Sequence, residues 1–236
     1  MRHIVGATCG LWVTLAAPLL AEPVVATPVV VVELFTSQGC ASCPPADALV
    51  EGLAQNPQIL PLSLHVDYWD YIGWADKFAD PAFTARQKAY ARANGSRMIY
   101  TPQMIVAGQD RVEGYDPDAL GAAIAQHVAQ GAHVALRVQR QGDVLLIEAQ
   151  ALTPLSAAVQ VQLVRYKPAE TVQIERGENA GQVITYRNIV TTWDVLGDWA
   201  GDSPLSVTTK VTGEDPAVVI LQDPGPASIL AAAQVN

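Results

Sequence analysis

The chain has 236 residues, half of them hydrophobic and 16% charged, with a formal net charge of −9. That is ample core material for two domains of roughly 100 residues each, and too little charge for an expanded, disordered chain. Asp plus Glu outnumber Lys plus Arg by 23 to 14 with no basic stripe, which argues against a nucleic-acid partner.

Arg2 and His3 precede an apolar run from Ile4 to Leu20 that ends at Leu19-Leu20-Ala21, before Glu22-Pro23. A short basic start, an apolar middle and a small residue before the cut read as a secretory signal over residues 1–21. The run is short for a membrane span and is weakened by Gly6, Gly10 and Pro18. No later run is long and apolar enough to cross a bilayer, so no membrane association is expected after cleavage. The expected location is periplasmic or secreted. Cleavage removes Cys9 and leaves two cysteines, Cys40 and Cys43, in an oxidising compartment.

From Val29 onward strand and helix signals alternate. Val29 to Phe35 is a nearly continuous β-branched run, as expected of a strand buried on both faces. Pro44-Pro45 opens a helix, and Ile59 to Val66 is a second strand. Asp80-Pro81 starts another helix, which Asn94-Gly95 stops. Met104 to Val106, a turn at Gly108-Gln109-Asp110, and Arg111 to Glu113 form a hairpin. Asp116-Pro117 starts a last helix that runs to Gly131.

After Gly131 the apolar period switches to two. Strand-like runs fall at 133–139, 144–150, 159–166, 171–175, 182–190, 206–211, 217–221 and 229–235. Short strands at this spacing predict a sandwich. The expected architecture is an α/β domain over residues 28–131 followed by an all-β sandwich domain over residues 132–236.

Cys40-Ala41-Ser42-Cys43 sits between a buried strand and a helix start. A thiolate there is stabilised by free backbone N–H groups and the helix dipole. A second cysteine one turn inside resolves a mixed disulfide. On this reading Cys40 is the exposed attacker and Cys43 the shielded resolver. Two other readings stand beside it. An inert bridge is one, although two intervening residues close almost no loop. A metal site is the other: no second close cysteine pair exists for zinc, but Cu(I) accepts two thiolates, with His65 as a third ligand.

Strand, Cys-x-x-Cys and helix in this order resemble the thioredoxin superfamily, and Val32 to Cys40 is similar to a glutaredoxin opening. Tyr100-Thr101-Pro102-Gln103-Met104 matches the superfamily's second hallmark. The resemblance covers residues 28–131 and implies a thioredoxin-like fold, with a cis Thr101–Pro102 bond facing the cysteine pair. It also implies a buried carboxylate that takes a proton from the resolving cysteine, for which Glu33 is the candidate beside a solvent-facing strand end. The Ala-Ser dipeptide departs from the Gly-Pro and Pro-His of well-known oxidoreductases, so the redox direction is not carried over. The whole chain resembles a family of bacterial secreted proteins known only as a domain of unknown function with a thioredoxin-like fold. Residues 36–45, 65–74, 176–179 and 186–188 carry that likeness.

His65, Asp67, Tyr68, Trp69, Asp70 and Trp74 cluster densely in a chain only 6% aromatic. They form either a wall beside the cysteines that binds a partner peptide or a second small core. The expected site is therefore Cys40, Cys43, Pro102 and Glu33 for the chemistry, with Thr101, Trp69 and Trp74 for binding. The expected function is thiol–disulfide exchange with exported protein thiols or small thiols, with no cofactor. The alternative is a copper- or partner-binding module without turnover.

Overall fold

A computed structural model describes residues 29–235; the expected leader and Cys9 lie outside the described residues. The apolar run Val30–Thr36 forms β1, and its seven residues are all buried. Pro44–Leu53 forms α1, with prolines in its first turn. Ile59–His65 forms β2, parallel to β1 from Val30↔Ile59 to Thr36↔His65. A single 3-10 turn at Asp70–Ile72 leads to α2, Pro81–Ala93, whose start is capped by Asp80 accepting from Ala82 N. β3 (Gln103–Val106) pairs antiparallel with β1, and β4 (Asp110–Glu113) pairs antiparallel with β3 at the sheet edge. Asp116 caps α3, Pro117–Gln130, in the same way.

Seven strands follow α3. β5 (Val134–Gln141), β6 (Val144–Ala151) and β9 (Leu205–Lys210) form a three-stranded antiparallel sheet. β7 (Val159–Gln173) and β8 (Val183–Trp199) make a long hairpin. β10 (Ala217–Gln222) and β11 (Ile229–Val235) extend that hairpin on its far side.

The expected α/β domain followed by a separate sandwich is not what the chain forms. One mixed eight-stranded sheet runs β11-β10-β7-β8-β2-β1-β3-β4 through both halves, and the described residues hold only three α-helices. The join is the parallel pairing of Ser63 in β2 with Ile189 in β8. Side chains reinforce it: Ser63 Oγ donates to Arg187 O at 2.9 Å and Asn188 Nδ2 to Pro61 O at 2.8 Å. The expected boundary at Gly131 lies between α3 and β5, yet the sheet passes across it.

The cores follow the sheet. On one face, Val31, Phe35, Leu62 and Tyr90 from the first half pack with Val164, Val190, Val218 and Ile220 from the second. On the other, Val32, Leu34 and Met104 lie under α1 and α3. The alternate residues of β10, Val219 and Leu221, pack with Leu145 and Ile147 of the small sheet. β10 is thus covered on both faces, which explains its unbroken apolar run.

A second contact between the halves forms at the β3–β4 turn, where Ile229 N donates to Ala107 O at 2.9 Å. Gly108 has φ +72, and a Cβ there would meet Ala227 O at 2.0 Å. Neither the conformation nor the space accepts a side chain. Gly108→Ala should therefore cost at least about 1–3 kcal/mol, read as a lower denaturant midpoint with an unchanged slope.

Candidate functional site

β1 delivers the chain into a tight turn, Cys40 N donating to Ser37 O and Cys43 N to Cys40 O. Cys40 and Cys43 form a disulfide at the start of α1. Pro44 and Pro45 offer no N–H, so the first helical donors are Ala46 N and Asp47 N, both on Cys43 O. Ser42 is exposed; its Oγ lies 3.5 Å from Cys40 Sγ and the same distance from Thr101 O. The Thr101–Pro102 bond is cis. Cys40, Cys43, Thr101 and Pro102 therefore belong to one place.

The expected asymmetry of exposure is absent from the disulfide state: Cys40 and Cys43 are both 0% exposed. The cause is the segment after β2. A Cβ on Gly39 would lie 3.1 Å from Trp69 Cβ and 3.3 Å from Ile72 Cδ1, so this segment is pressed onto the cysteine loop. Trp69 Nε1 donates to Thr101 Oγ1 at 2.7 Å, and Trp74 Nε1 to Gln38 Oε1 at 2.8 Å. Both indoles are partly buried. They pack the segment and tie it to the cysteine and proline loops at once. The aromatic left most open is Tyr71, at 83% exposure.

Glu33 is placed apart from these residues. Its neighbours Val32 and Leu34 point to α1, so by strand alternation Glu33 points to α2. There Arg86 Nε donates to Oε2 at 2.5 Å and Arg86 Nη2 to Oε1 at 2.9 Å. Tyr90 OH also donates to Oε1. Burial and the Glu33 carboxylate push the Tyr90 phenol well above its ordinary value, which keeps it a donor. Glu33 is buried and fully bonded as one end of an ion pair, not a strand-end group in solvent.

Another buried polar group lies behind the cysteines instead. Asp47, in the first turn of α1, accepts from Thr36 Oγ1 at 2.7 Å. Asp76 Oδ2 accepts from Gln38 N at 2.8 Å and lies 2.7 Å from His65 Nδ1. The His65 ring stands edge-on to Tyr186 of β8 and to Phe78. Burial pushes the Asp47 carboxyl up to about 7, against the pull of His65 and the bond from Thr36. Burial, with Asp47 and Asp76 nearby, likewise raises the Tyr186 phenol. No three His, Cys, Asp or Glu side chains among the described residues converge as metal ligands.

Between its ordinary value near 3.8 and about 7, folded Asp47 holds a proton that the unfolded chain has lost. Its contribution therefore makes the fold less stable as pH rises through that window. Asp47→Asn should flatten the fall, a difference on the order of 3 kcal/mol between acid and neutral pH. Urea unfolding at a series of pH values measures it.

The second half completes the site. The tip of the β7–β8 hairpin carries Asn179, 2% exposed, whose Nδ2 donates to Gln38 O and Cys40 O, each at 2.9 Å. Gly177, at φ +80, sets its Cα against Trp74, whose Cβ is 3.3 Å from where a side chain would begin. Sequence reasoning did not single out Asp47 or Asp76, whereas Asn179 falls in the 176–179 stretch that carries the family likeness. The available signal was Asp47 itself, a charge between Ala46 and Val50 on the buried face of α1.

Within the described residues no helix is long and apolar enough to cross a membrane. The crystal structure of the protein AGR_C_4864 from Agrobacterium tumefaciens is similar, with 33% identity and a TM-score of 0.73 over 91% of this chain and 96% of that one. HBP35 of Porphyromonas gingivalis shares the fold alone: 15% identity and a TM-score of 0.67 over 89% of this chain and 75% of that one. No curated protein matches the chain. The model of the family described as "protein of unknown function (DUF1223)" matches residues 31–222, and the chain belongs to that family.

Proposed function

We propose that the protein exchanges disulfides with exported protein thiols or small thiols through the Cys40–Cys43 pair, in the periplasm or outside the cell. The observation that carries this reading is the pair's position: a disulfide at a helix N-terminus, with the cis Thr101–Pro102 loop beside it through Ser42. The resemblance of residues 28–131 to the thioredoxin superfamily supports the same reading. A bridge that spans two residues contributes little to stability, so its presence calls for another role. Cys40 is the attacking sulfur, favoured by the helix dipole; Cys43 resolves; Pro102 and Thr101 shape the groove for an extended partner. Because Trp69 and Trp74 bond into the loops, a partner meets Tyr71 and the exposed Ser42 first.

A second reading, a partner- or copper-binding module without turnover, draws on the burial of both sulfurs. Mixing the reduced protein with oxidised glutathione separates the two. Exchange predicts release of reduced glutathione and return of the Cys40–Cys43 bridge. Two free thiols that persist would favour the module.

A further inference from the structure

The Cys40 backbone is held at both of its peptide planes. Cys40 N donates to Ser37 O at 3.1 Å, which sets the plane before the residue. Cys40 O accepts from Cys43 N at 3.2 Å and from Asn179 Nδ2 at 2.9 Å, which sets the plane after it. A residue has two soft backbone dihedrals, so these bonds decide where the Cys40 side chain starts. Two of the three are local to the loop. The third, and the shortest, comes from 139 positions away in the second half of the chain.

Asn179 is itself firmly mounted. Both of its amide hydrogens are used, one on Gln38 O and one on Cys40 O. Carbonyl oxygens only accept, so the amide nitrogen must face them. The amide oxygen accepts from Gln182 Nε2 at 3.0 Å. The hairpin tip is closed by Gly181 N on Ile174 O at 2.8 Å and Gln182 N on Asn179 O at 3.1 Å. Behind the tip, β8 pairs with β2 at Ile189 and Ser63. A donor carried on rigid elements sets the position of the loop rather than following it. An amide that holds backbone could serve the fold alone. Its target argues for more, because Cys40 O is the same oxygen that closes the turn between the two cysteines.

We infer that Asn179 is the positioning residue of Cys40, and that through it the second half of the chain sets how readily the Cys40–Cys43 bridge opens. The inference rests on the exchange reading above and adds the control of that site. The loop is held in the shape of the bridged pair. When the bridge opens the sulfurs must separate, and the turn between them relaxes against Asn179. Asn179 opposes that relaxation and so favours the bridged form over the dithiol. A residue that only stabilises the fold supports both forms alike, and its loss leaves their balance unmoved. By reciprocity, what Asn179 adds to the bridge, the bridge adds to the Asn179 contacts. In the reduction, two glutathione thiols give two electrons and two protons to the bridge. The Cys40–Cys43 bond breaks, a thiol forms on each cysteine, and one disulfide bond joins the two glutathiones.

The test compares the full chain with its variants by counting free thiols in graded glutathione buffers, with dithiothreitol buffers where glutathione leaves the bridge closed. Asn179→Ala removes both donors. It should make the bridge about tenfold easier to reduce, a rise in potential of about 30 mV. Asn179→Asp keeps the size, sets a carboxylate oxygen against the two carbonyls, and should raise the potential at least as much. Gln182→Ala changes an exposed residue and frees the Asn179 amide to turn. It should make reduction about threefold easier, or about 14 mV. Urea unfolding of the bridged and reduced chains measures the other side of the cycle. There Asn179→Ala should cost the bridged form the same tenfold more than the reduced form. A potential that is unmoved or lowered in Asn179→Ala, or in Gln182→Ala should the first variant not fold, overturns the positioning role. So does an equal loss of stability in the two forms. A wild-type bridge that stays closed across the whole range of glutathione buffers overturns the exchange reading instead, whatever the variants do.

Discussion

Arg86→Ala is expected to destabilise the protein by about 3–5 kcal/mol, because it leaves the Glu33 carboxylate buried without its partner. Arg86 also crosses the halves. Its guanidinium lies 3.7 Å over the Trp193 ring of β8 and donates to Gln222 Oε1 of β10 at 2.9 Å. Gln222 Nε2 donates in turn to Tyr90 OH at 2.8 Å. The loss therefore strikes α2, β1, β8 and β10 together, and one cooperative transition should move as a whole. In a chain of this size the melting temperature should fall by roughly 6–20 °C. Glu33→Gln combined with Arg86→Met should recover part of the loss, because no charge is then left alone in the core. A single variant that shifts stability by less than about 1 kcal/mol would show that the pair is solvated in solution.

The secondary structure was largely legible because each element carries local chemistry. Asp80-Pro81 and Asp116-Pro117 start α2 and α3, and period-two runs mark β5 and β6. The topology was not legible, because periodicity says which face of a strand is buried and nothing about which edges pair. The hairpin β7–β8 is a case in point. Its register slips at Val161/Gln162 and Arg165/Tyr166, so one long strand reads as two short ones at 159–166 and 171–175. Ala217 to Leu221 did hold a clue: an unbroken apolar run is the mark of a strand covered on both faces, not of a solvated sandwich sheet.

At the site, the Cys40–Cys43 pair was readable from its spacing before a helix start, and the resemblance to the thioredoxin superfamily implied Thr101 and Pro102 beside it. For Glu33 the sequence left a buried carboxylate and a solvent-facing strand end both open, because the face it points to depends on strand phase; β1 buries it and turns it towards Arg86. Asn179 lies 139 residues from the carbonyl of Cys40 that it holds, and a contact at that separation leaves no local mark.

Cys43→Ser should stop exchange at the mixed-disulfide stage. With Cys43 in place the second attack is intramolecular, at an effective concentration far above any free thiol. Without it, an outside thiol must resolve the bond, and turnover should slow at least about a thousandfold. The covalent adduct on Cys40 should accumulate and be visible by intact mass. Cys40→Ser should form far less adduct, since the proposed attacking sulfur is then absent. Adduct that forms mainly through Cys43 would reverse the assignment of attacker and resolver.

The central claim, that this bridge is made to open and close, is tested most directly by its reduction potential. The full chain is equilibrated with graded dithiothreitol buffers and the free thiols are counted. Exchange-active dithiols fall between about −270 and −120 mV, whereas structural disulfides typically lie below about −300 mV. A Cys40–Cys43 couple within the first range is the predicted result, and a value below about −300 mV would contradict it.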